Sequence, residues 1–268
     1  MPAVAAIAGM LAAAAVACAA PTAPPQTATP TSTAMAQQAP STTVTSSPTP
    51  VTSSPTTVSR SAEPPSPQPP PGATPHASAQ RIAELLQAVP VVAKLPQVPG
   101  YERSCSPGKG CVFGPAWNDP TDTSGCDTRN RVLAAQLTDV VFKPGTRNCK
   151  VVTGILHDPY TGATLAFDNA TRADIEIDHV FALGAAWDAG AAQWPYERRV
   201  EFANDTENLL ATTGEENQRK SDSGPGAWLP PNREFTCRFV EIYLSVAAKY
   251  QLAITQDDKT VAESSCPG

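Results

Sequence analysis

The chain has 268 residues, 29 prolines, seven cysteines and a formal net charge of −6. From residue 98 onward, 16 Lys and Arg stand against 23 Asp and Glu. This acidic balance argues against avid, indiscriminate binding to nucleic acid through a basic surface. It leaves room for an enzyme with a local basic strip, provided that a cation bridges the substrate and the protein.

The first 20 residues are almost all small or apolar, and they include the sequence AVAC at Ala15–Cys18. The run is too short for a comfortable membrane span of about 20 apolar residues, and its small-residue end predicts a secretory signal peptide over residues 1–20. The AVAC sequence resembles a bacterial lipoprotein cleavage site, which would make Cys18 the lipidated residue. An ordinary cleaved signal with an incidental cysteine is the alternative. We therefore expect export, either as a cell-envelope lipoprotein held to the membrane only through Cys18 or in secreted form.

Residues 21–78 are dominated by Pro, Thr, Ser, Ala and Gln, and they contain 15 of the prolines. Such a segment has too little apolar area to offset the entropy lost on ordering, which predicts a disordered tether. The remaining residues, 79–268, form the expected folded domain, with its core at about 98–268. That length is sufficient for one domain with a real hydrophobic core.

Apolar residues at helical spacing predict helices over 76–89 and 128–142, with Asp127 as the N-cap of the second. Two short β runs over 149–167 flank the turn sequence DPYTG. Ile175 and Ile177 then alternate with polar residues, which predicts a strand with one buried face.

Three further helices are predicted over 195–205, 212–222 and 233–252, the second short and polar and the third long and amphipathic. Short strands beside several helices indicate an α+β fold.

Six cysteines remain once Cys18 is set aside, an even number that predicts three disulfides in an exported protein. Metal binding is the competing interpretation, but no two cysteines have the C-x2-C spacing and the compartment is oxidising. Fifteen connectivities are possible. The sequential one, taken here as the expectation, pairs Cys105 with Cys111, Cys126 with Cys149 and Cys237 with Cys266.

Polar residues suited to phosphodiester hydrolysis follow one another at informative intervals: Asp178-His179 end the predicted strand, Asn208 lies in a loop, and Asn217 and Lys220 fall on the short helix. Such hydrolysis needs an activated water and neutralisation of the charge that develops on the phosphate and the leaving oxygen. His179, whose ordinary pKa is near 6.5, can accept the proton of the water close to neutral pH. Asp178 faces the other way on the strand and offers a hard anionic oxygen to a divalent cation.

The order D-H … N-L-L … N-x-x-K resembles the ββα-metal motif of the HNH endonuclease superfamily. It is more closely similar to the branch related to the C-terminal nuclease domain of GmrSD-type restriction enzymes, which includes many secreted bacterial proteins. The resemblance covers roughly residues 99–266, and the run from Ile177 to Ala211 and the WLPPN segment make it specific. It implies a ββα-metal (HNH, His-Me finger) core with additional helices. It also implies a metal-dependent endonuclease that acts on DNA ahead of RNA and leaves 5′-phosphate ends.

The resemblance also implies a role for each residue. His179 would be the general base, oriented by a hydrogen bond from Asn208, and Asp178 and Asn217 would hold the divalent cation. Because Asn217 makes the ligand set all-oxygen, Mg2+ is expected, with Mn2+ or Ca2+ as alternatives, rather than zinc. Lys220 would place a point charge on the substrate phosphate.

Other side chains are weaker candidates for the site. Glu176 shares a strand face with Asp178 and is a candidate for contacting the metal or a metal-bound water, although a solvated polar face is the bland interpretation. Arg129 and Arg219 are candidates for phosphate contacts. The three later tryptophans could stack on bases or pack in the core, and packing is favoured. They are Trp187, Trp194 and Trp228.

Two other functions stay open at this stage. A non-catalytic, envelope-anchored binding module could retain the same fold, and the acidic net charge slightly favours it. A phosphodiesterase for small or lipid-linked phosphates would use the same site with a different cleft. The intact set of D-H, Asn and N-x-x-K residues favours catalysis, because a decayed site would be expected to lose it.

Overall fold

The computed structural model describes the backbone of residues 75–171 and 174–266, and side chains from residue 79 onward. The predicted signal peptide over 1–20, the lipidation of Cys18 and nearly all of the tether over 21–78 lie outside the described residues. In the described ranges, none of the helices has the combination of length and apolar character that crossing a membrane requires.

Helices and short strands are mixed along the described chain, which confirms the predicted α+β class. The helices are α1 (Pro75–Ala88), α2 (Thr128–Gln136), α3 (Leu183–Asp188), α4 (Tyr196–Asn204), α5 (Gly214–Lys220), α6 (Arg233–Tyr250) and α7 (Gln256–Ser265). The strands are β1 (Val91–Val92), β2 (Leu137–Phe142), β3 (Val151–His157), β4 (Thr164–Asp168), β5 (Ile175–His179), β6 (Leu209–Thr213) and β7 (Ile254–Thr255).

The strands pair into small sheets within the described residues. β2, β3 and β4 form an antiparallel meander, β5 and β6 form an antiparallel pair, and β1 and β7 pair in parallel. In the β5–β6 pair, Ile177 lies opposite Ala211 and His179 lies opposite Leu209. α5 follows β6 directly and packs on both strands, so β5, β6 and α5 form the expected ββα unit.

The longest helix, α6, is the centre of the larger hydrophobic core. Its buried residues Phe239, Tyr243, Val246 and Tyr250 recur at the spacing of one helical face. The side chain of Asn232 caps its first turn by accepting from the Glu234 amide. A second core lies between α2 and the two antiparallel sheets. It contains Val132, Leu133, Leu137, Val151, Leu156, Phe167, Ile175, Ile177, Leu209 and Ala211.

The helix predicted over 128–142 is wrong in its second part. The helix ends at Gln136, and Leu137–Phe142 form β2, which pairs with β3. The apolar spacing is compatible with either structure, but the β-branched residues Thr138, Val140 and Val141 favour a strand once a partner strand is available. Asp127 is the N-cap of the shorter helix, and its side chain accepts from the Asn130 amide.

The three disulfides have the predicted sequential connectivity: Cys105–Cys111, Cys126–Cys149 and Cys237–Cys266. The first closes a small hairpin, in which the Cys111 amide donates to the Ser104 carbonyl. The second joins the start of α2 to the start of β3, and the third joins α6 to the end of α7. The second and third therefore link separate elements of the fold, whereas the first is local.

Candidate active site

The strand β5 delivers Asp178 and His179 to two sides of the ββα unit, as the alternation of strand side chains requires. The sequence predicted a strand with one buried face. Both faces are buried at its end, because Asp178 is 4% exposed and His179 is 5% exposed. Each of the two polar side chains therefore needs its own partners inside the protein.

The imidazole of His179 is held by a main-chain carbonyl and an indole ring. Its Nε2 lies 2.9 Å from the carbonyl oxygen of Ala203. Because a carbonyl can only accept, Nε2 carries the proton and Nδ1 is the lone-pair nitrogen of the neutral ring. Trp117 stacks on the imidazole with 5.9 Å between ring centroids and a 10° interplanar angle.

This environment keeps His179 neutral. Burial lowers its pKa from the ordinary 6.5 to about 3, against the opposing effect of the hydrogen bond to Ala203. The positive charges of Arg103 and Lys220 lower the pKa further. At neutral pH the ring is therefore an uncharged base with a fixed tautomer.

The carboxylate of Asp178 is bridged between two donors. The ammonium of Lys220 lies 3.0 Å from Oδ1, and the hydroxyl of Tyr160 donates to Oδ2 over 2.6 Å. Lys220 also donates to the carbonyl of His179 at 2.8 Å. Burial raises the pKa of Asp178, and the ion pair and the Tyr160 hydrogen bond act in the opposite direction. Burial raises the pKa of Tyr160 well above its usual value, so the phenol remains a donor.

Glu176 and Asn217 meet on the face of β5 that α5 covers. The amide nitrogen of Asn217 lies 2.6 Å from Oε2 of Glu176, and both residues are partly exposed. α5 can begin this close to the strand because Gly214 has no side chain, since a Cβ there would run into the carboxylate of Asp174. Among the described residues, there is no group of three or more His, Cys, Asp or Glu side chains that could hold a metal ion.

The partners of Asn208 differ from the expected one. Its side-chain oxygen accepts from the Phe181 amide at 2.7 Å, and its nitrogen donates to the Phe181 carbonyl at 3.1 Å. Among the hydrogen bonds of the described residues, the imidazole of His179 is bonded by Ala203 and not by Asn208. Asn208 fixes the backbone immediately after His179 and so acts on the ring only through that backbone.

The three expected phosphate contacts are also arranged differently. Lys220 is 0% exposed and is committed to Asp178, so it does not reach a substrate phosphate in this arrangement. Arg219 is exposed but pairs with Glu215 and Glu216. Arg129 is half-buried and donates to the carbonyl of Ile175 at 3.0 Å, at the beginning of β5.

Sequence reasoning missed two side chains that complete the site, Trp117 and Tyr160. Both lie in loops that precede β5, outside the D-H … N … N-x-x-K pattern, and Tyr160 belongs to the DPYTG sequence that was interpreted only as a turn. The expected packing role of the other tryptophans is observed: Trp187 is buried in the larger core, and Trp194 and Trp228 pack against it.

Fold and site together define a small disulfide-linked α+β protein built around a ββα unit that carries a histidine and an asparagine. Residues 127–261 match the family described as GmrSD restriction endonucleases, C-terminal domain. An "Uncharacterized secreted protein" of Arthroderma benhamiae is 34% identical over 202 residues, which cover 75% of this chain and 89% of that protein. No solved structure matches the chain.

The chain belongs to the GmrSD C-terminal domain family, and the resemblance seen in its motifs is confirmed. Membership supports a nuclease-like function of the HNH type in general, and with it a nucleic acid substrate. HNH nucleases generally use a divalent metal.

Proposed function

We propose that the protein is an exported, metal-dependent HNH-type endonuclease that hydrolyses phosphodiester bonds, with DNA as the first substrate to test. One observation carries the proposal: a neutral histidine of fixed tautomer ends the first strand of a ββα unit whose helix carries Asn217. Family membership supports the same reaction class.

His179 is the general base in this proposal. Because Nε2–H is engaged by the Ala203 carbonyl, Nδ1 is the nitrogen that takes the proton from the attacking water. The indole of Trp117 stacks on the ring and contributes to its burial. Asn208 holds the backbone at Phe181 and so keeps the end of β5 in place.

The donor set fits a hard divalent cation, with Mg2+ preferred and Mn2+ or Ca2+ as alternatives. Glu176 and Asn217 converge and are partly exposed, so they form the accessible part of the set. Asp178 retains acceptor capacity, because a carboxylate offers about four lone-pair positions, but the ammonium of Lys220 beside it opposes a second positive charge. When bound, the cation would stabilise the negative charge that develops on the departing 3′-oxygen.

Lys220 takes a positioning role in this proposal instead of the expected phosphate contact. Its ammonium holds the Asp178 carboxylate and the His179 carbonyl together, at the point where β5 ends. Phosphate contacts would then come from partly exposed arginines such as Arg129, which contacts the first residue of β5.

Export is supported from two sides. The relative in Arthroderma benhamiae is described as secreted, and three disulfides suit an oxidising compartment. A signal peptide over residues 1–20 and lipidation of Cys18 remain parts of the proposal. Metabolic labelling with a palmitate analogue, with Cys18→Ser as the control, tests the anchor.

A non-catalytic binding module is the second candidate, and burial of the site favours it. His179 is covered by Trp117, and both oxygens of Asp178 are engaged, so a substrate would have to displace part of this arrangement. The two candidates differ in whether any phosphodiester is cleaved.

The decisive experiment follows degradation of plasmid DNA and of RNA by the purified chain with Mg2+, Mn2+ or Ca2+ and with EDTA. We expect metal-dependent cleavage, and a loss of about 10²- to 10⁴-fold in His179→Ala. His157→Ala is the matched control, since His157 is an exposed strand-end residue whose ring is hydrogen-bonded to Thr164. Full activity of His179→Ala would overturn the mechanism. A wild type that cleaves nothing with any of the metals would favour the binding module.

A further inference from the structure

The loop between β2 and β3 is the most basic exposed segment of the described chain. Residues 143–150, here called the basic loop, have the sequence KPGTRNCK and carry Lys143, Arg147 and Lys150 without a single acidic residue. All three cations are exposed. The segment therefore contrasts with a chain whose overall charge is −6.

The three cations have no carboxylate partner within salt-bridge distance among the described residues. Several cations on the helix surfaces do have one: Arg81 pairs with Glu84, Arg238 with Glu241 and the partly exposed Lys259 with Glu263. The exposed Lys94, Arg103 and Arg233 are also without one among the described residues, but each is a single cation in its segment. On α1 and α6, the exposed arginine is therefore neutralised by a carboxylate three residues away. The basic loop is not, so its positive field extends into solvent.

The loop also holds its charges in an unfavourable arrangement. The Lys143 amide donates to the Lys150 carbonyl at 2.8 Å, which places the two lysines opposite each other at the end of the β2–β3 ladder. Like charges directly opposite each other in an antiparallel pair are destabilising. Arg147 carries the third positive charge of the loop. Its backbone φ is 53°, in a region that non-glycine residues seldom adopt. A bound polyanion would relieve this repulsion.

The basic loop is fixed to the part of the fold that carries the active site. The Cys126–Cys149 disulfide joins it to the start of α2, with 5.4 Å between the Cα atoms. From the first turn of α2, Arg129 reaches the carbonyl of Ile175, the first residue of the strand that ends at His179. A ligand held by the loop would therefore have a defined position relative to the site.

We propose that the basic loop binds the phosphate backbone of the nucleic acid substrate outside the cleaved bond. This inference rests on the proposed function and specifies how an acidic protein holds a polyanion. Lysines and arginines that neutralise phosphates release counterions, so the contact is independent of sequence and sensitive to salt. Lys143, Arg147 and Lys150 contribute up to three such contacts.

The test measures binding of a 20-base-pair fluorescent duplex by anisotropy, in the His179→Ala background so that cleavage does not interfere. The loop variant carries Lys143→Gln, Arg147→Gln and Lys150→Gln. The matched control carries Arg81→Gln, Arg238→Gln and Lys259→Gln, which remove the same charge from carboxylate-paired residues elsewhere. The single variant Arg147→Gln serves if the triple variant loses its native circular dichroism spectrum.

We expect the loop variant to reduce the slope of log affinity against log salt by about 2.7, and the single variant by about 0.9. At low salt the loop variant should bind at least about tenfold more weakly, while the control triple binds as the parent does. In the His179 wild-type background, hydrolysis of bis(p-nitrophenyl) phosphate should be unchanged by the loop variant, because this small diester has no flanking phosphates.

An unchanged salt slope in the loop variant would overturn the proposal, and so would an equal loss in both triples. Loss of binding to anionic phosphatidylglycerol vesicles without any loss of duplex binding would also overturn it and assign the loop to a membrane surface. If no variant cleaves any diester but the slope still falls, the loop proposal stands while the catalytic proposal fails.

Discussion

At the scale of single residues, the burial of His179 sets its protonation state, and the sign of the effect can be worked out. The pKa is lowered to about 3 in the folded protein, so the ring is the neutral base throughout the range from pH 5 to pH 8. A base with the ordinary pKa of 6.5 would lose about thirtyfold in its neutral fraction between pH 8 and pH 5. We predict that the titration of His179 changes kcat/KM for DNA cleavage by less than about twofold between pH 5 and pH 8. Measured pH–rate profiles check this.

The same shift affects stability. In the unfolded chain His179 takes up a proton below its ordinary pKa of 6.5, whereas the folded protein keeps it neutral down to about 3. The stability that this residue contributes is therefore fully present above pH 6.5 and is lost as the pH falls towards 3. Urea unfolding should show that the wild type loses stability relative to His179→Phe as the pH falls from 6.5 towards 3. Above pH 6.5 the two proteins should have the same pH dependence. The low pKa would be contradicted if the reaction rate of the wild type fell below pH 6.5 and this fall were absent in His179→Gln.

Trp117 is one of the residues that bury the imidazole of His179. Its indole covers the imidazole, so Trp117→Ala admits water and should raise the pKa of His179 towards 6.5. We predict that the variant gains an acid limb in kcat between pH 5 and pH 6.5, and that its KM changes little. Trp117→Phe, which retains a stacked ring, should keep the wild-type profile. Histidine titration by NMR separates this effect from simple loss of structure, since a merely structural role would lower kcat without moving the pKa.

At the scale of elements, a buried ion pair is one of the contacts that join α5 to β5. Lys220 and Asp178 are both almost fully inaccessible, and each would leave an uncompensated charge if the other were removed. We predict that Lys220→Met lowers the free energy of unfolding by about 3–5 kcal/mol. The double variant Lys220→Met/Asp178→Asn should recover much of this loss, because it removes both charges. Chemical denaturation of the two single variants and the double variant gives the coupling energy.

Additive effects in that cycle would mean that the two side chains do not stabilise each other. The ion pair would then have to be rejected as a contact that stabilises the packing of α5 on β5. Tyr160→Phe provides an independent check, because it removes only the hydrogen bond to Asp178 and leaves the ion pair intact. Its cost should be smaller, at about 1.5–3 kcal/mol for a bond to a charged group.

Two elements of the ββα unit, β5 and α5, were predictable from local sequence, whereas β6 was not, because the helix predicted over 212–222 overlaps its last residues. The contacts between the side chains of these elements were not predictable either. Alternation around Ile175 and Ile177 indicated β5, and polar helix formers indicated α5. By contrast, the partners of His179 and Asn208 are main-chain groups, Ala203 and Phe181, and a carbonyl or amide has the same chemistry at every residue. Their positions follow from the course of the backbone and leave no mark on residue type.

Competition between long-range pairing and local pattern explains the misassigned end of α2. The segment Leu137–Phe142 has the apolar spacing of a helix, yet it pairs with β3. Only the presence of β3, folded against it, decides between the two structures. The same limit applies to Lys220: its charge suggested a phosphate contact, but its burial depends on the packing of α5 against β5.

At the scale of the whole molecule, the disulfides should stabilise the domain to different extents. Stabilisation through the unfolded state grows with the length of the loop that a disulfide closes. The Cys237–Cys266 bridge spans 29 residues and the Cys105–Cys111 bridge spans 6. We predict that replacing the Cys237–Cys266 pair by serines costs about 3.5 kcal/mol, and that replacing the Cys105–Cys111 pair costs about 2 kcal/mol. Urea unfolding under non-reducing conditions measures both.

The Cys126–Cys149 bridge, which spans 23 residues, separates stability from function. Its removal by paired serines should cost nearly as much as that of Cys237–Cys266, at about 3.5 kcal/mol. It should also weaken duplex binding, because it releases the basic loop from α2. The variant without the Cys237–Cys266 bridge is the matched control, because that bridge joins α6 to α7 away from the basic loop. It should bind DNA as the wild type does. If both pairs weaken binding equally at a temperature where both variants are folded, the disulfide does not act by positioning the loop. A larger cost for Cys105–Cys111 than for either long bridge would show that native-state packing outweighs chain entropy in this domain.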